Sequence, residues 1–261
     1  MDRVSSPDGV SIAYREAGRG SPAVLLHPSG LSQAVWRTFG YVDALRDDHR
    51  LVMPDFRGHG HSGKPHDPAA YTMDRLVGDI IAVIDELGLD RVSIVGYSLG
   101  SRAALTFAAT HPDRLDRLVL GGTSSRALKG AFDDLFFPGC VAVLRDEGTA
   151  AFLEGWQRQR GTTLDPGSRA AFEANDATAL AAYMTSVDAE PGVPDDDLAE
   201  ITSPTLAFVG SQDGGRLEDT RHVAATIPGC RLLVVDGTDH ATTLAATAEV
   251  LPAIREHLAA R

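Results

Sequence analysis

The stretch Arg91-Val92-Ser93-Ile94-Val95-Gly96-Tyr97-Ser98-Leu99-Gly100 runs from apolar, β-branched residues straight into a Gly-x-Ser-x-Gly and then into the helix-forming Ala103-Ala104-Leu105. It reads as a strand, a very tight turn and a helix, with Ser98 at the apex. Such a turn pushes the serine toward an unfavourable backbone conformation, which small residues two positions before and after it make sterically possible. Gly96 and Gly100 stand at those two places. The hydroxyl is then displayed at the carboxyl end of a buried strand, where the N-terminus of the next helix favours negative charge. This is a place to build an acylated serine.

Working outward, short apolar segments alternate with longer amphipathic ones. Ser11–Glu16, Ala23–His27, Leu51–Pro54, Val92–Val95, Leu115–Gly121, Thr205–Val209 and Arg231–Val235 read as strands. Helical stretches between most of them imply an α/β protein with a mostly parallel sheet covered on both faces. Between Tyr71 and Leu87 the apolar residues recur at helical spacing and Gly88 stops the helix. Ser98–Thr110 ends at His111-Pro112, because the residue before proline is pushed out of helical geometry. The last helix is expected over Thr242–Ala259.

The alternation lapses between Ser124 and Ala199, where alanine-rich helical pieces carry Phe132, Phe136, Phe137, Trp156, Phe172, Tyr183 and Met184. The simplest organisation is a core domain of 1–123 and 200–261 with a helical cap, 124–199, over the carboxyl ends of the strands. The segment 190–197, rich in proline and carboxylates, reads as a return hinge in neither helix nor sheet.

A serine hydroxyl is a poor nucleophile at neutral pH and needs a base, itself oriented by a third group. The segment after Thr205–Val209 supplies Asp213, and the one after Arg231–Val235 supplies His240. Asp236 and Asp239 compete for the carboxylate role, but Asp239 is the chain neighbour of His240 and badly placed to bond its ring. His59, His61 and His66 lie in a Gly/Pro-rich loop and read as solvated or structural. The oxyanion formed on attack needs N–H donors. One is the backbone N–H of Leu99; the other is that of Ser29 in His27-Pro28-Ser29-Gly30, since Pro28 has no N–H.

With these residues in hand, the chain resembles the α/β-hydrolase fold superfamily, as a cap-bearing serine hydrolase of the esterase or lactonase kind. The resemblance spans the oxyanion loop at 27–30, the loop Asp55-Phe56-Arg57-Gly58-His59-Gly60-His61-Ser62, which is similar to the family's D-x-R-G-x-G-x-S, the serine turn, Asp213 and His240. It implies an eight-stranded sheet, the chain order Ser98, Asp213, His240, and no cofactor or metal. The chain departs at Pro28, where the family usually has glycine, which narrows the conformations open to that loop. Epoxide hydrolases and haloalkane dehalogenases of the family carry aspartate where Ser98 stands, so the resemblance implies instead esterases, lactonases, thioesterases, carbon–carbon bond hydrolases or haloperoxidase-like enzymes. Gly96-Tyr97-Ser98-Leu99-Gly100-Ser101-Arg102 is also similar to the serine turn of menaquinone-pathway synthases that eliminate pyruvate, where an arginine four residues after the serine meets a substrate carboxylate. Arg102, and Arg126 inside the cap, are therefore candidate substrate-binding residues.

The expected activity is cleavage of a small carboxylic ester or lactone through an acyl-enzyme on Ser98. The alternatives are a carbon–carbon hydrolase or lyase acting on a carboxylate-bearing substrate, and a receptor-like homologue that binds ligand without turnover. Composition sets the bounds: the 261 residues, 43% apolar and 23% charged, suffice for a large single core. A formal charge of −12 disfavours nucleic acid and anionic membranes as partners. A small-molecule substrate is expected, and a homodimer is the one assembly left open. Two cysteines, Cys140 and Cys230, provide neither a disulfide framework nor a metal-ligand spacing. With no signal-like or membrane-spanning run, a cytoplasmic location is expected.

Overall fold

The computed structural model describes residues 1–164 and 166–259. Its strands are β1 (Asp2–Ser5), β2 (Ser11–Ala17), β3 (Ser21–Leu26), β4 (His49–Pro54), β5 (Val92–Tyr97), β6 (Leu115–Gly121), β7 (Thr205–Gly210) and β8 (Arg231–Val235). Among the described residues they form one eight-stranded sheet in the order β1-β2-β4-β3-β5-β6-β7-β8. The β1–β2 and β2–β4 pairs are antiparallel, and every pair from β4 to β8 is parallel.

Both faces of the inner parallel strands are buried, so the side chains of one strand supply two cores by turns, whereas the edge strand β8 leaves Leu232 and Val234 exposed. Val24, Leu26, Val52, Ile94, Leu118 and Leu120 enter one core, packed by α3 (Met73–Glu86) and α4 (Leu99–Thr110). Ala23, Leu25, Leu51, Met53, Val95 and Val119 enter the other, beneath α1 (Ala34–Thr38), α2 (Tyr41–Leu45) and α11 (Thr247–Ala259). Between β6 and β7 the regular elements are all helical: α5 (Ala131–Leu135), α6 (Cys140–Arg160), α7 (Pro166–Glu173), α8 (Ala177–Asp188) and α9 (Asp195–Ala199). Phe136, Phe152, Trp156 and Phe172 pack ring against ring inside this segment. α10 (Gly214–Thr226) links β7 to β8.

Three local expectations are corrected. Asp195–Ala199 forms a helix rather than an extended hinge, because Asp195, Asp196 and Asp197 all fall in its first turn, where carboxylates complement the helix dipole. The last α-helix begins at Thr247, not Thr242: Asp239 ties up the N–H groups of Ala241 and Thr242 in a turn, and a short 3-10 turn follows at Thr243–Ala245. β1 is an additional edge strand whose four mostly polar residues show no core pattern.

The chain enters the sheet's middle at β3, steps one way to β4, and crosses back to β5 on the other side of β3. In open α/β sheets such a switch leaves a crevice at the carboxyl ends of the strands. Ser29 follows β3 and Ser98 follows β5, so both lie at that crevice.

Candidate active site

Ser98 holds φ 54° and ψ −113°, and it is the non-glycine residue with positive φ among the described residues. A side chain at Gly96 would come within 2.2 Å of the Gly100 carbonyl oxygen, and one at Gly100 within 2.0 Å of the Leu26 oxygen. The two glycines therefore let α4 turn back directly over β5 and β3, and the strain is concentrated on the serine. The Ser98 N–H is anchored to the Gly121 carbonyl at 2.8 Å, which joins the turn to the end of β6.

Asp213 follows β7 and His240 follows β8, and the structure brings both to Ser98. His240 Nδ1 lies 2.9 and 3.0 Å from the two carboxylate oxygens of Asp213, and its Nε2 lies 2.9 Å from Ser98 Oγ. An ionised carboxylate can only accept, so Nδ1 carries the proton and Nε2 is free to accept from the serine hydroxyl. Asp213 is almost wholly buried, with 3% of its side chain exposed, whereas 19% of the His240 side chain reaches solvent. Tyr97 holds the histidine loop: its hydroxyl donates to the His240 carbonyl at 2.7 Å and its ring lies 5.4 Å from the imidazole. Burial drives the Tyr97 hydroxyl well above the ordinary tyrosine range, which keeps it a donor. The competing carboxylates are engaged elsewhere, Asp236 with the Ser211 hydroxyl and Asp239 within its own turn.

Ser29 and Leu99 line the same cavity as Ser98, and neither backbone N–H meets an acceptor among the described residues. Leu128, Phe132, Leu135 and Val187 form an apolar wall of this cavity, contributed by the helical segment. The Ser29 hydroxyl is paired with the Tyr183 hydroxyl at 2.6 Å.

Arg102 also lines the cavity, although only 3% of it is exposed. Its Nη1 donates to the carbonyls of Arg126, at 2.6 Å, and Ser124, at 3.3 Å, while Nε and Nη2 have no partner. Burial, with the nearby charge of Arg216, brings its pKa down to about 10, so it stays protonated at neutral pH. Arg126 is placed differently from expectation. Its side chain is 63% exposed, pairs with Asp219 at 3.5 Å and stays out of the cavity lining; it is its carbonyl that meets Arg102. Chain order puts Arg126 at the start of the segment, where the backbone turns inward and the side chain outward.

Arg216, Tyr183 and Tyr97 are site residues that the sequence reading missed. Gly214-Gly215 reads as turn punctuation, yet α10 begins there and carries Arg216 to the cavity. No local pattern marks Arg216 for the cavity, since its place there depends on how α10 packs. His59, in contrast, is wholly buried, with Nδ1 at 3.1 Å from the Arg57 carbonyl, while His61 and His66 are more than half exposed. Among the described residues no cluster of three His, Cys, Asp or Glu side chains is placed to hold a metal ion, and no helix is long and apolar enough to cross a membrane.

A strained serine at a strand-to-helix turn on a parallel sheet, with a histidine and a buried carboxylate in line behind it, is the arrangement expected of a hydrolase on the alpha/beta hydrolase fold. Comparison with known proteins agrees. Residues 22–139 match the family model of the alpha/beta hydrolase fold. A Caulobacter sp. (strain K31) protein provisionally named carbamate hydrolase RutD is 30% identical over 224 residues, 78% of this chain and 79% of its own. A Bacillus subtilis (strain 168) protein provisionally named 2-succinyl-6-hydroxy-2,4-cyclohexadiene-1-carboxylate synthase is 28% identical over 91% of this chain and 90% of its own. The crystal structure of the enol-lactonase from Burkholderia xenovorans LB400 superposes with a TM-score of 0.85 at 24% identity, covering 99% of this chain and all of that one, a likeness of fold. The chain belongs to the α/β-hydrolase fold superfamily and is a hydrolase.

Proposed function

We propose that this hydrolase cleaves a small carboxylic ester or lactone through an acyl-enzyme on Ser98, with 124–199 acting as a cap over the cavity. The observation that carries the reading is the unbroken line from Ser98 Oγ to His240 Nε2 at 2.9 Å and from Nδ1 to Asp213 at 2.9 Å. His240 takes the hydroxyl proton as Ser98 Oγ bonds to the carbonyl carbon. Asp213 stabilises the imidazolium, and the N–H groups of Leu99 and Ser29 receive the oxyanion. The C–O bond to the leaving group then breaks, with His240 returning the proton to the departing oxygen. Water, deprotonated by His240, releases the acid and restores Ser98. The relative named as a carbamate hydrolase supports attack on a carbonyl bearing a heteroatom.

Incubation with a fluorophosphonate followed by mass analysis tests the nucleophile, alongside a screen of p-nitrophenyl esters, lactones and β-diketones. The expected result is a single adduct on the peptide containing Ser98, together with turnover of an ester or lactone. An unmodified Ser98 in protein that turns over esters contradicts the reading.

A second reading is favoured by one observation, the two unpartnered donors of buried Arg102 in the cavity. A buried guanidinium left half-satisfied is costly, and a substrate carboxylate would supply its missing acceptors. The same three residues then serve a carbon–carbon hydrolase or lyase on a carboxylate-bearing substrate, and the Bacillus relative is named as a synthase of a carboxylate. Under this reading Arg102→Met lowers the kcat/KM ratio of an acidic over a neutral substrate at least about tenfold; an unchanged ratio removes it.

A further inference from the structure

The loop that presents the Ser29 N–H is gripped from two sides. From below, the Pro28 carbonyl lies 2.8 Å from His27 Nδ1 and accepts from the Leu31 N–H at 3.4 Å. His27 Nε2 accepts from the Phe56 N–H, so its proton is on Nδ1 and points to Pro28. Across the same planar peptide the Ser29 N–H is anti to that carbonyl and faces away from His27. From above, the Tyr183 hydroxyl of α8 meets Ser29 Oγ at 2.6 Å, Asn175 Nδ2 donates to the Gly30 carbonyl at 2.8 Å, and the Phe172 ring lies against Gly30. Tyr183 is itself fixed, buried edge-on to His59 at 5.1 Å and to Phe132 at 6.0 Å.

We infer that Tyr183 and Asn175 are positioning residues for the Ser29 N–H, so that the oxyanion site is complete only while α7 and α8 are seated on the loop. The inference rests on the acyl-transfer reading and adds a condition to it: lifting the helical segment to admit substrate releases Ser29 and Gly30 together, and closing it restores both bonds. Catalytic competence is thereby tied to closure, and hydrolytic chemistry is withheld from an open, water-filled cavity.

The test uses Tyr183→Phe, which keeps the ring and removes the hydroxyl, and Asn175→Ala, which removes the amide donor. An oxyanion contact is made only after attack, so each variant should lose roughly tenfold in kcat on p-nitrophenyl acetate with KM within about twofold. Inhibition by an alkyl trifluoromethyl ketone, whose adduct with Ser98 carries an oxyanion, should weaken by a similar factor, while binding of the corresponding uncharged alkyl trifluoromethyl carbinol, which forms no adduct, stays unchanged. A role confined to packing would shift carbinol and ketone binding alike, and that result overturns the inference. So do a kcat and a ketone inhibition constant within twofold of the wild type in both variants. Fluorophosphonate labelling separates the two levels: wild-type protein without an adduct on Ser98 defeats the acyl-transfer reading, whereas normal labelling with unaltered variants defeats only this one.

Discussion

At Ser98 the backbone, not the side chain, carries the cost of the site. A residue with a Cβ at φ 54° is strained by about 1–3 kcal/mol, and it persists because the anchor to Gly121 and the two glycine contacts over-determine it. The same logic of enforced geometry applies to Asp213, whose buried carboxylate fixes both the tautomer and the tilt of His240. Asp213→Asn retains the shape but can donate to Nδ1 and so favours the wrong tautomer. A fall of about 10³- to 10⁴-fold in kcat is expected, with an unchanged circular dichroism spectrum; a loss under tenfold would mean the carboxylate does not orient the base.

At the scale of elements, the site stands on a loop that is locked by a buried ion pair. Arg57, wholly buried after β4, donates to Asp79 of α3 at 2.6 and 2.7 Å, to Asp8 in the β1–β2 turn at 2.7 Å and to the Ala70 carbonyl. It therefore joins the antiparallel edge of the sheet to α3. Arg57→Ala leaves Asp79 buried and uncompensated, and a loss of about 3–5 kcal/mol in urea unfolding is expected; a loss below 1 kcal/mol would show that the network is dispensable. Asp55, from the same loop, accepts from the N–H groups of Gln33 and His61 and so ties it to the segment after β3. The elements bearing Ser98, Asp213 and His240 were legible in the sequence because each residue sits just beyond a short apolar run, where the run stops and turn residues begin. Tyr183 and Arg216 were not legible, since their positions at the cavity depend on how α8 and α10 pack, which no local pattern encodes. β1 escaped for a related reason: an edge strand pairs through its backbone and needs no apolar face.

For the whole molecule, stability and pH are linked through histidines buried without charge. His59 is held down to about 3, first by burial and then by the nearby His27, whose own pKa is lowered by burial. The unfolded chain takes up a proton at each near 6.5 while the folded chain does not, so the folded state loses stability as pH falls below that value. For His59 the loss continues toward pH 3, at about 1.4 kcal/mol per pH unit once well below 6.5. Urea unfolding at pH 7, 6 and 5 should show this decline, and His59→Gln should flatten it; equal slopes in the two proteins would show that His59 titrates alike in both states. The net charge of −12 and the apolar wall of the cavity act at this scale too, the first in the field around the protein and the second in the space where Arg102 stands as a buried cation.

Whether Ser98 is the nucleophile activated by His240 is decided by kcat for Ser98→Ala on the best ester or lactone the wild type accepts. A loss of at least about 10⁴-fold is expected in a variant that unfolds near the wild-type urea concentration, since alanine keeps the Cβ and with it the same backbone strain. Turnover within tenfold of the wild type would contradict it.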